Sequence, residues 1–287
     1  MTRSRRRVPA RPVVALLTDF GLSDPYAGQM KGVVASLAPE ARILDISHGV
    51  PAHDILAGAL YLDASLPWLP LGCVIVAVVD PGVGTTRRLV GVESRGRLVL
   101  APDNGLLSLL LTRGGVDGAW VFPSQDMGSA TFHGRDIFAP LAAALAKGQP
   151  PRERGQPVDP GTLVILPGLD PVLDGDRLQA RVLHVDRFGN LILNLRIGEY
   201  GAMLGAAHGV AMDMPRAPRI VRAATYAELP PGALGLLAGS QGFFEMAMDR
   251  ESAARSTGLH PGDAVTLVLS GETAAGPDRI PGVVSER

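Results

Sequence analysis

Cysteine is nearly absent from this chain. Cys73 is the only one, so neither an internal disulfide nor a cysteine-built metal cluster can form, and a reducing cytoplasm is the expected compartment. Lysine is almost as scarce, at Lys31 and Lys147 alone, while arginine is plentiful. With 27 basic against 28 acidic residues the formal net charge is -1. That excludes a general electrostatic pull toward nucleic acid or an anionic membrane and leaves a small molecule as the expected partner. No apolar run approaches the ~20 residues that span a bilayer, and neither an internal repeat nor a low-complexity tract is visible. The opening MTRSRRRVPARP is basic but lacks an apolar core and a small-residue cleavage site. Residues 1–12 are therefore expected to be a disordered basic tail rather than a secretory signal, and residues 276–287 a second, flexible tail.

What is present is an α/β rhythm. VVALLTD, RILDIS and CVIVAVVD read as strands, and DPYAGQMKGVVASLA and DILAGALYLDASL between them as helices, with Asp24–Pro25 expected as N-cap and first helical residue of one and Asp54 as N-cap of the other. After RLVGVES and RLVLAPD come the short helix NGLLSLLLTRG, the strand AWVFP and the helix RDIFAPLAAALAKG. Residues 13–148 are thus expected to form an α/β/α domain around a mostly parallel sheet. Residues 149–160 carry four prolines and no apolar period, which suits a linker. From 161 to 275 the pattern changes to short strands punctuated by glycine and proline, such as RLQARVLHVD, NLILNL and AVTLVLS. That is the signature of a smaller, all-β, barrel-like domain.

Within the first domain, polar groups stand where apolar runs stop: Thr18 and Asp19 in LLTDFG, Asp80 in VVDPGVGTTRR, and His133 in TFHGRD. A parallel sheet gathers its carboxyl ends at one rim, where ligands of open α/β sheets bind. Asp80, Arg87 and His133 could there hold one water and favour its deprotonation, the cation stabilising developing hydroxide while a carboxylate or imidazole accepts the proton. Spacing alone leaves plainer roles open: Asp80 as a turn cap, His133 as a cap or packing residue, Arg87 as a surface charge.

TDFGLSDPYAGQMKGV, DPGVGTTRR, APDNGLL, FHGRDIFAPLAA and VDRFGN, in that order from about Val14 to Leu269, resemble the S-adenosyl-L-methionine hydroxide adenosyltransferases, relatives of the bacterial fluorinase and chlorinase. The resemblance implies conversion of S-adenosyl-L-methionine and water to adenosine and methionine, without a cofactor or metal. It further implies a homotrimer of two-domain subunits whose sites lie between neighbouring subunits. By the same resemblance Asp80, Arg87 and His133 activate water, Asp19 grips the ribose hydroxyls, and His53 stands where the fluorinase packs an aromatic residue against the ribose. Asp186 is implied to hold the methionine amino group, Asn190 to read the adenine edge, and Ser240 to lie near the methionine carboxylate. Phe188 and Tyr226 would wall the base.

The sequence departs from the halogenating relatives. Where they place a tyrosine, a threonine and a serine around the halide, this chain has Asp80, Val83 and Gly134, and their long insertion after the fourth strand is absent. A carboxylate ~4 Å from a halide would repel it by about 4 kcal/mol at an effective dielectric near 20. Three other readings compete. A halide-dependent 5′-halogenase is the first. A metal-dependent hydrolase using His48, His53, Asp54, Asp80 and His133 is the second, and it lacks a compact H-E-x-x-H spacing. A non-catalytic S-adenosylmethionine or adenosine sensor is the third. A Rossmann dehydrogenase is poorer, since no G-x-G-x-x-G follows the first strand.

Overall fold

A computed structural model describes residues 11–123, 129, 131–214 and 220–270. Residues 1–10 of the expected basic tail, and all of the expected carboxyl-terminal tail, lie outside the described residues. The chain divides into two compact units, Met1–Leu166 and Pro167–Arg287. The division thus falls beyond the 149–160 segment expected as a linker, of which Gln156–Pro157 pairs as a strand with the first unit and Val158 packs on that unit's core.

The first unit contains β1 (Val13–Thr18), α1 (Tyr26–Leu37), β2 (Arg42–Ser47), α2 (Ile55–Ser65), β3 (Val74–Val78), β4 (Leu89–Ser94), β5 (Arg97–Pro102), α3 (Ser108–Arg113), β6 (Val116–Phe122), α4 (Ala139–Ala146) and β7 (Gln156–Pro157). Its seven-stranded sheet runs β2-β1-β3-β5-β4-β6-β7. The first four strands in that order are parallel and the rest antiparallel. The two-residue side-chain period sorts the core. Val14, Leu16, Val74, Val76 and Val78 face one way, onto Met30 and Val34 of α1 and Ala142 and Leu145 of α4. Ala15, Leu17, Ile75 and Ala77 face the other, onto Ala57 and Leu62 of α2. β1 and β3 are covered on both faces and therefore read as unbroken apolar runs.

Asp54 caps α2 as its sequence suggests, accepting from the Ala57 amide at 2.9 Å. Asp24 does not cap α1. The helix begins at Tyr26, so Pro25 takes the N-cap position without a side-chain bond and Asp24 falls one residue outside. The run expected as one helix over residues 135–148 begins instead with a π-helical turn, Gly134–Phe138, before α4.

The second unit contains β8 (Val172–Asp174), β9 (Arg177–Val185), β10 (Leu191–Arg196), α5 (Ile197–Ala206), β11 (Gly209–Met212), β12 (Ile220–Arg222), β13 (Leu234–Ala238), β14 (Phe243–Ala247), α6 (Ala253–Thr257) and β15 (Ala264–Ser270). Seven strands follow the order β11-β15-β9-β10-β14-β13-β12, and β8 pairs with β9. Its two end strands approach each other, so the barrel is nearly closed. The pairings are antiparallel except that of β12 with β13. The expectation of an all-β half is corrected in one respect, because α5 and α6 also belong to it. Leu204 of α5 and Ala253 of α6 pack into its core.

Candidate active site

β1 and β3 lie side by side, with Thr18 paired to Val78. Their carboxyl ends therefore present Asp19 and Asp80 at one rim. Beyond β3 the sequence DPGVGTTR folds as a tight turn: the Val83 amide donates to the Asp80 carbonyl (3.2 Å), and the Thr85 amide and hydroxyl both donate to the Gly82 carbonyl (3.2 and 2.7 Å). The turn brings Arg87 back over Asp80. Arg87 Nε donates to both Asp80 oxygens, at 2.6 and 2.7 Å, and Nη2 donates to Oδ2 as well. Asp80 thus pairs with a cation and does not cap its own turn. The two side chains are only 4% and 7% exposed, so each charge depends on the other for compensation.

His133 reaches this pair from a different direction, in the loop that leads into the π-helical turn. Arg87 Nη2 lies 2.9 Å from His133 Nδ1. A guanidinium can only donate, so Nδ1 accepts and the neutral ring carries its proton on Nε2. Burial, and then the charge of Arg87, hold His133 below its ordinary value of 6.5, against the opposing pull of Asp80 and Asp136. Arg87 Nη1 is buried without a hydrogen-bond partner among the described residues. An unmatched buried N–H of this kind is costly unless a ligand or water completes it.

Asp80 and His133 open on a cleft of about 290 Å³ that Asp19, His53, Val83 and Gly134 also line, with Arg87 behind them. Asp19 accepts from the His53 amide at 2.9 Å. The His53 ring itself is largely exposed, its backbone in the left-handed region at φ 66°. The sequence reading missed the aromatic wall of the cleft. Phe132 packs edge to face with Phe20 and with Tyr26, which are tilted against each other, the centroids lying 5.1 to 5.8 Å apart, and their only signal was the proximity of each to a motif already singled out. A Cβ on Gly134 would meet Met30 Sδ and Phe132 at 3.1 Å and Phe20 at 3.3 Å, so this position has no room for a hydroxymethyl group without a shift of those rings. His48 and Asp54 are occupied elsewhere, by Thr18 and Asp45 and by the α2 cap. Among the described residues no group of three or more His, Cys, Asp or Glu is arranged to hold a metal.

The second unit gathers most of its predicted residues at the β9–β10 turn. Asp186 Oδ1 accepts from the amides of Phe188 and Asn190, each at 2.9 Å, and Oδ2 accepts from Asn190 Nδ2 at 2.9 Å. Asn190 is buried, whereas Phe188 is 77% exposed. Tyr226 donates its hydroxyl to Glu245, a residue that sequence reasoning did not single out. That bond, then burial and the charges of Glu245 and Asp186, push the phenol up to about 12. Burial raises the Glu245 carboxyl, the Tyr226 bond opposes it and the charge of Asp186 adds to it. Ser240 is exposed in the β13–β14 turn.

Residues 14–155 match the amino-terminal domain of the SAM hydroxide adenosyltransferases and residues 180–266 match the carboxyl-terminal domain. A protein of Salinispora arenicola named (R)-S-adenosyl-L-methionine hydrolase is 42% identical over 268 residues, covering 89% of this chain and 97% of the relative. The chain belongs to the SAM hydroxide adenosyltransferase family. A like-named hydrolase of Thermus thermophilus is 40% identical, covering 90% of this chain and 100% of its own. A fluorinase of Nocardia brasiliensis is 28% identical, covering 90% and 97%. Among solved structures, an uncharacterized conserved protein from Thermotoga maritima superposes with a TM-score of 0.80 at 28% identity, covering 89% of this chain and 99% of its own.

Proposed function

We propose that this family member hydrolyses S-adenosyl-L-methionine to adenosine and L-methionine. The observation that carries the reading is the buried Asp80–Arg87–His133 set, which holds one unmatched Arg87 N–H and whose Asp80 and His133 line a cleft that Asp19 shares. Asp80 accepts the proton of a water, and Arg87 Nη1 stabilises the hydroxide that develops. The oxygen attacks the ribose C5′, the C5′–S bond breaks, and its electron pair returns to sulfur as the neutral thioether of methionine. The proton then passes to solvent. The leaving group needs no acid, since a sulfonium departs uncharged, and the reaction uses no cofactor.

The remaining assignments belong to the same reading. Asp19 accepts hydrogen bonds from the ribose cis-diol, a task suited to a carboxylate, with His53 beside it. Asp186 takes the methionine ammonium, Asn190 the adenine edge and Ser240 the methionine carboxylate, while Phe188 and Tyr226 supply walls for the base. In this reading the working unit is a homotrimer in which the carboxyl-terminal domain of a neighbouring subunit completes each site, and the compartment is the cytoplasm. Among the described residues no helix is long and apolar enough to cross a membrane. We assign the R sulfonium epimer as substrate, as the names of the hydrolase relatives specify.

The test is incubation with each separated epimer in oxygen-18 water, with and without chloride. Adenosine labelled at C5′, formed from the R epimer at a rate indifferent to chloride, is the expected result. Label in methionine, 5′-chloro-5′-deoxyadenosine as main product, or binding without turnover would each overturn the reading.

A further inference from the structure

Behind Asp19, four side chains form a hydrogen-bonded chain that runs from solvent to the end of β1. Lys31 Nζ donates to Asp45 Oδ2 at 2.6 Å, and His48 Nε2 lies 3.2 Å from Asp45 Oδ1. His48 Nδ1 lies 2.8 Å from Thr18 Oγ1, which also accepts from the Phe20 amide at 3.3 Å. Donor and acceptor chemistry gives a neutral His48 ring one arrangement. A carboxylate only accepts, so Nε2 carries the proton; Nδ1 then accepts from the Thr18 hydroxyl, and the Thr18 oxygen keeps a lone pair for Phe20.

A hydroxyl, an imidazole and a carboxylate in series are the parts of a nucleophilic triad. They cannot act as one here. Thr18 has no exposed surface and His48 is 4% exposed, so the hydroxyl is closed off from the cleft. What the chain does is hold backbone. Thr18 and Phe20 stand on either side of Asp19, and both end on the same hydroxyl. The main chain repeats the connection: the Gly21 amide donates to the His48 carbonyl (2.7 Å), the Val50 amide to the Thr18 carbonyl (3.4 Å) and the His53 amide to Asp19 (2.9 Å). Burial would raise the Asp45 carboxyl, but the bonds from Lys31 and His48 outweigh it and hold it below the usual range. The outer end of the chain therefore stays charged through ordinary conditions.

We infer that Thr18, His48 and Asp45 are positioning residues that fix the end of β1 so that the Asp19 carboxylate meets a vicinal diol. The inference rests on the proposed reading of Asp19 as the ribose acceptor. It makes a demand that a merely structural role would not make: loss of the chain weakens ligands that carry the diol and spares those that lack it.

The experiment measures binding of adenosine and of 2′,3′-dideoxyadenosine to the full-length wild type, Thr18→Val, Thr18→Ser and Asp45→Ala by calorimetry. Valine matches threonine in shape but removes the hydroxyl, leaving His48 Nδ1 and the Phe20 amide unmatched. Thr18→Val is expected to lose roughly 3- to 10-fold in adenosine affinity, the range for one net hydrogen bond, with dideoxyadenosine unchanged. Thr18→Ser should regain most of that loss. Asp45→Ala, at a half-exposed position, should lose adenosine affinity by a smaller factor and again spare the dideoxy compound; if Thr18→Val does not fold, this variant decides alone. An equal loss on both nucleosides, or on neither, would overturn the positioning role while leaving Asp19 as the diol acceptor. A wild type that binds both nucleosides equally would instead remove the diol reading, and the positioning role with it.

Discussion

Arg87 can donate five hydrogen bonds and accept none, and its neighbours are arranged around that asymmetry. Nε spans the two Asp80 oxygens, Nη2 is shared between Asp80 and His133, and Nη1 is left unmatched. Lysine keeps the charge but concentrates its donors on a single nitrogen, which cannot reproduce the planar fork that spans both Asp80 oxygens while reaching His133. Arg87→Lys is therefore expected to lower kcat on the order of 10²-fold with a much smaller change in KM; steady-state kinetics checks it, and an unchanged kcat would remove Arg87 from the reacting centre. His133 sets the pH dependence. Only the neutral ring can accept from Arg87, and the folded protein holds His133 below 6.5. Unfolded, the ring would bind a proton that the folded site refuses, so its contribution to stability is present above 6.5 and lost as pH falls through the depressed value. The acidic limb of kcat/KM follows the same sign and is expected below pH 6.5. A pH–rate profile beside an NMR titration of His133 checks this, and a limb at or above 6.5 would contradict it.

Two short turns decide where these groups point. The π-helical turn after His133 is a recognised device at functional sites, and here it packs Gly134 so near Met30, Phe132 and Phe20 that an added Cβ would require those side chains to shift. The β9–β10 turn depends on Gly189, whose φ is +87° and whose added Cβ would stand 2.1 Å from Ser252 Oγ and 2.9 Å from Ser252 Cα. Both strain and collision follow from a methyl group there. Gly189→Ala is expected to destabilise the protein by about 1–3 kcal/mol and to weaken adenosine binding, because Asn190 would be displaced. Denaturant unfolding together with calorimetric binding checks the two effects. Much of this scale is legible in sequence: Asp54 followed by an apolar period announces the start of α2, and DPGVG announces a turn. The start of α1 was less legible. Asp24 and Pro25 are both good residues for a helix entrance, and the choice between them rests on a single-residue shift that neither fixes by itself.

At the scale of the whole molecule, the proposed ligand-reading residues fall into two separately folded units. Asp19, Asp80, Arg87 and His133 belong to one, Asp186, Asn190 and Tyr226 to the other. If subunits of a trimer share sites, Asp80→Ala and Asn190→Ala subunits, each inactive alone, should regain activity when exchanged into mixed trimers, since some interfaces then hold both residues intact. Failure to complement, with exchange verified by mass spectrometry of the native assembly, would count against sharing.

The sequence by itself determined the strands of the first sheet, because burial on both faces demands unbroken apolar residues in β1 and β3. It also determined that Asp19 and Asp80 follow those strands, and which segments would turn. It carried the family motifs in order, and with them the residues worth testing. Only the tertiary structure decided how those residues pair. His133 is 46 positions from Arg87, and it accepts from the guanidinium because packing sets the loop before α4 beside the turn after β3. Glu245 lies 19 positions from Tyr226, in an apolar strand that gives no hint of a partner. Thr18 and His48, 30 positions apart, look like the ordinary ends of two neighbouring strand segments until β1 and β2 are paired. Local backbone preference is written in adjacent residues, whereas a hydrogen bond between distant side chains exists only once sheet register and helix packing have fixed both ends.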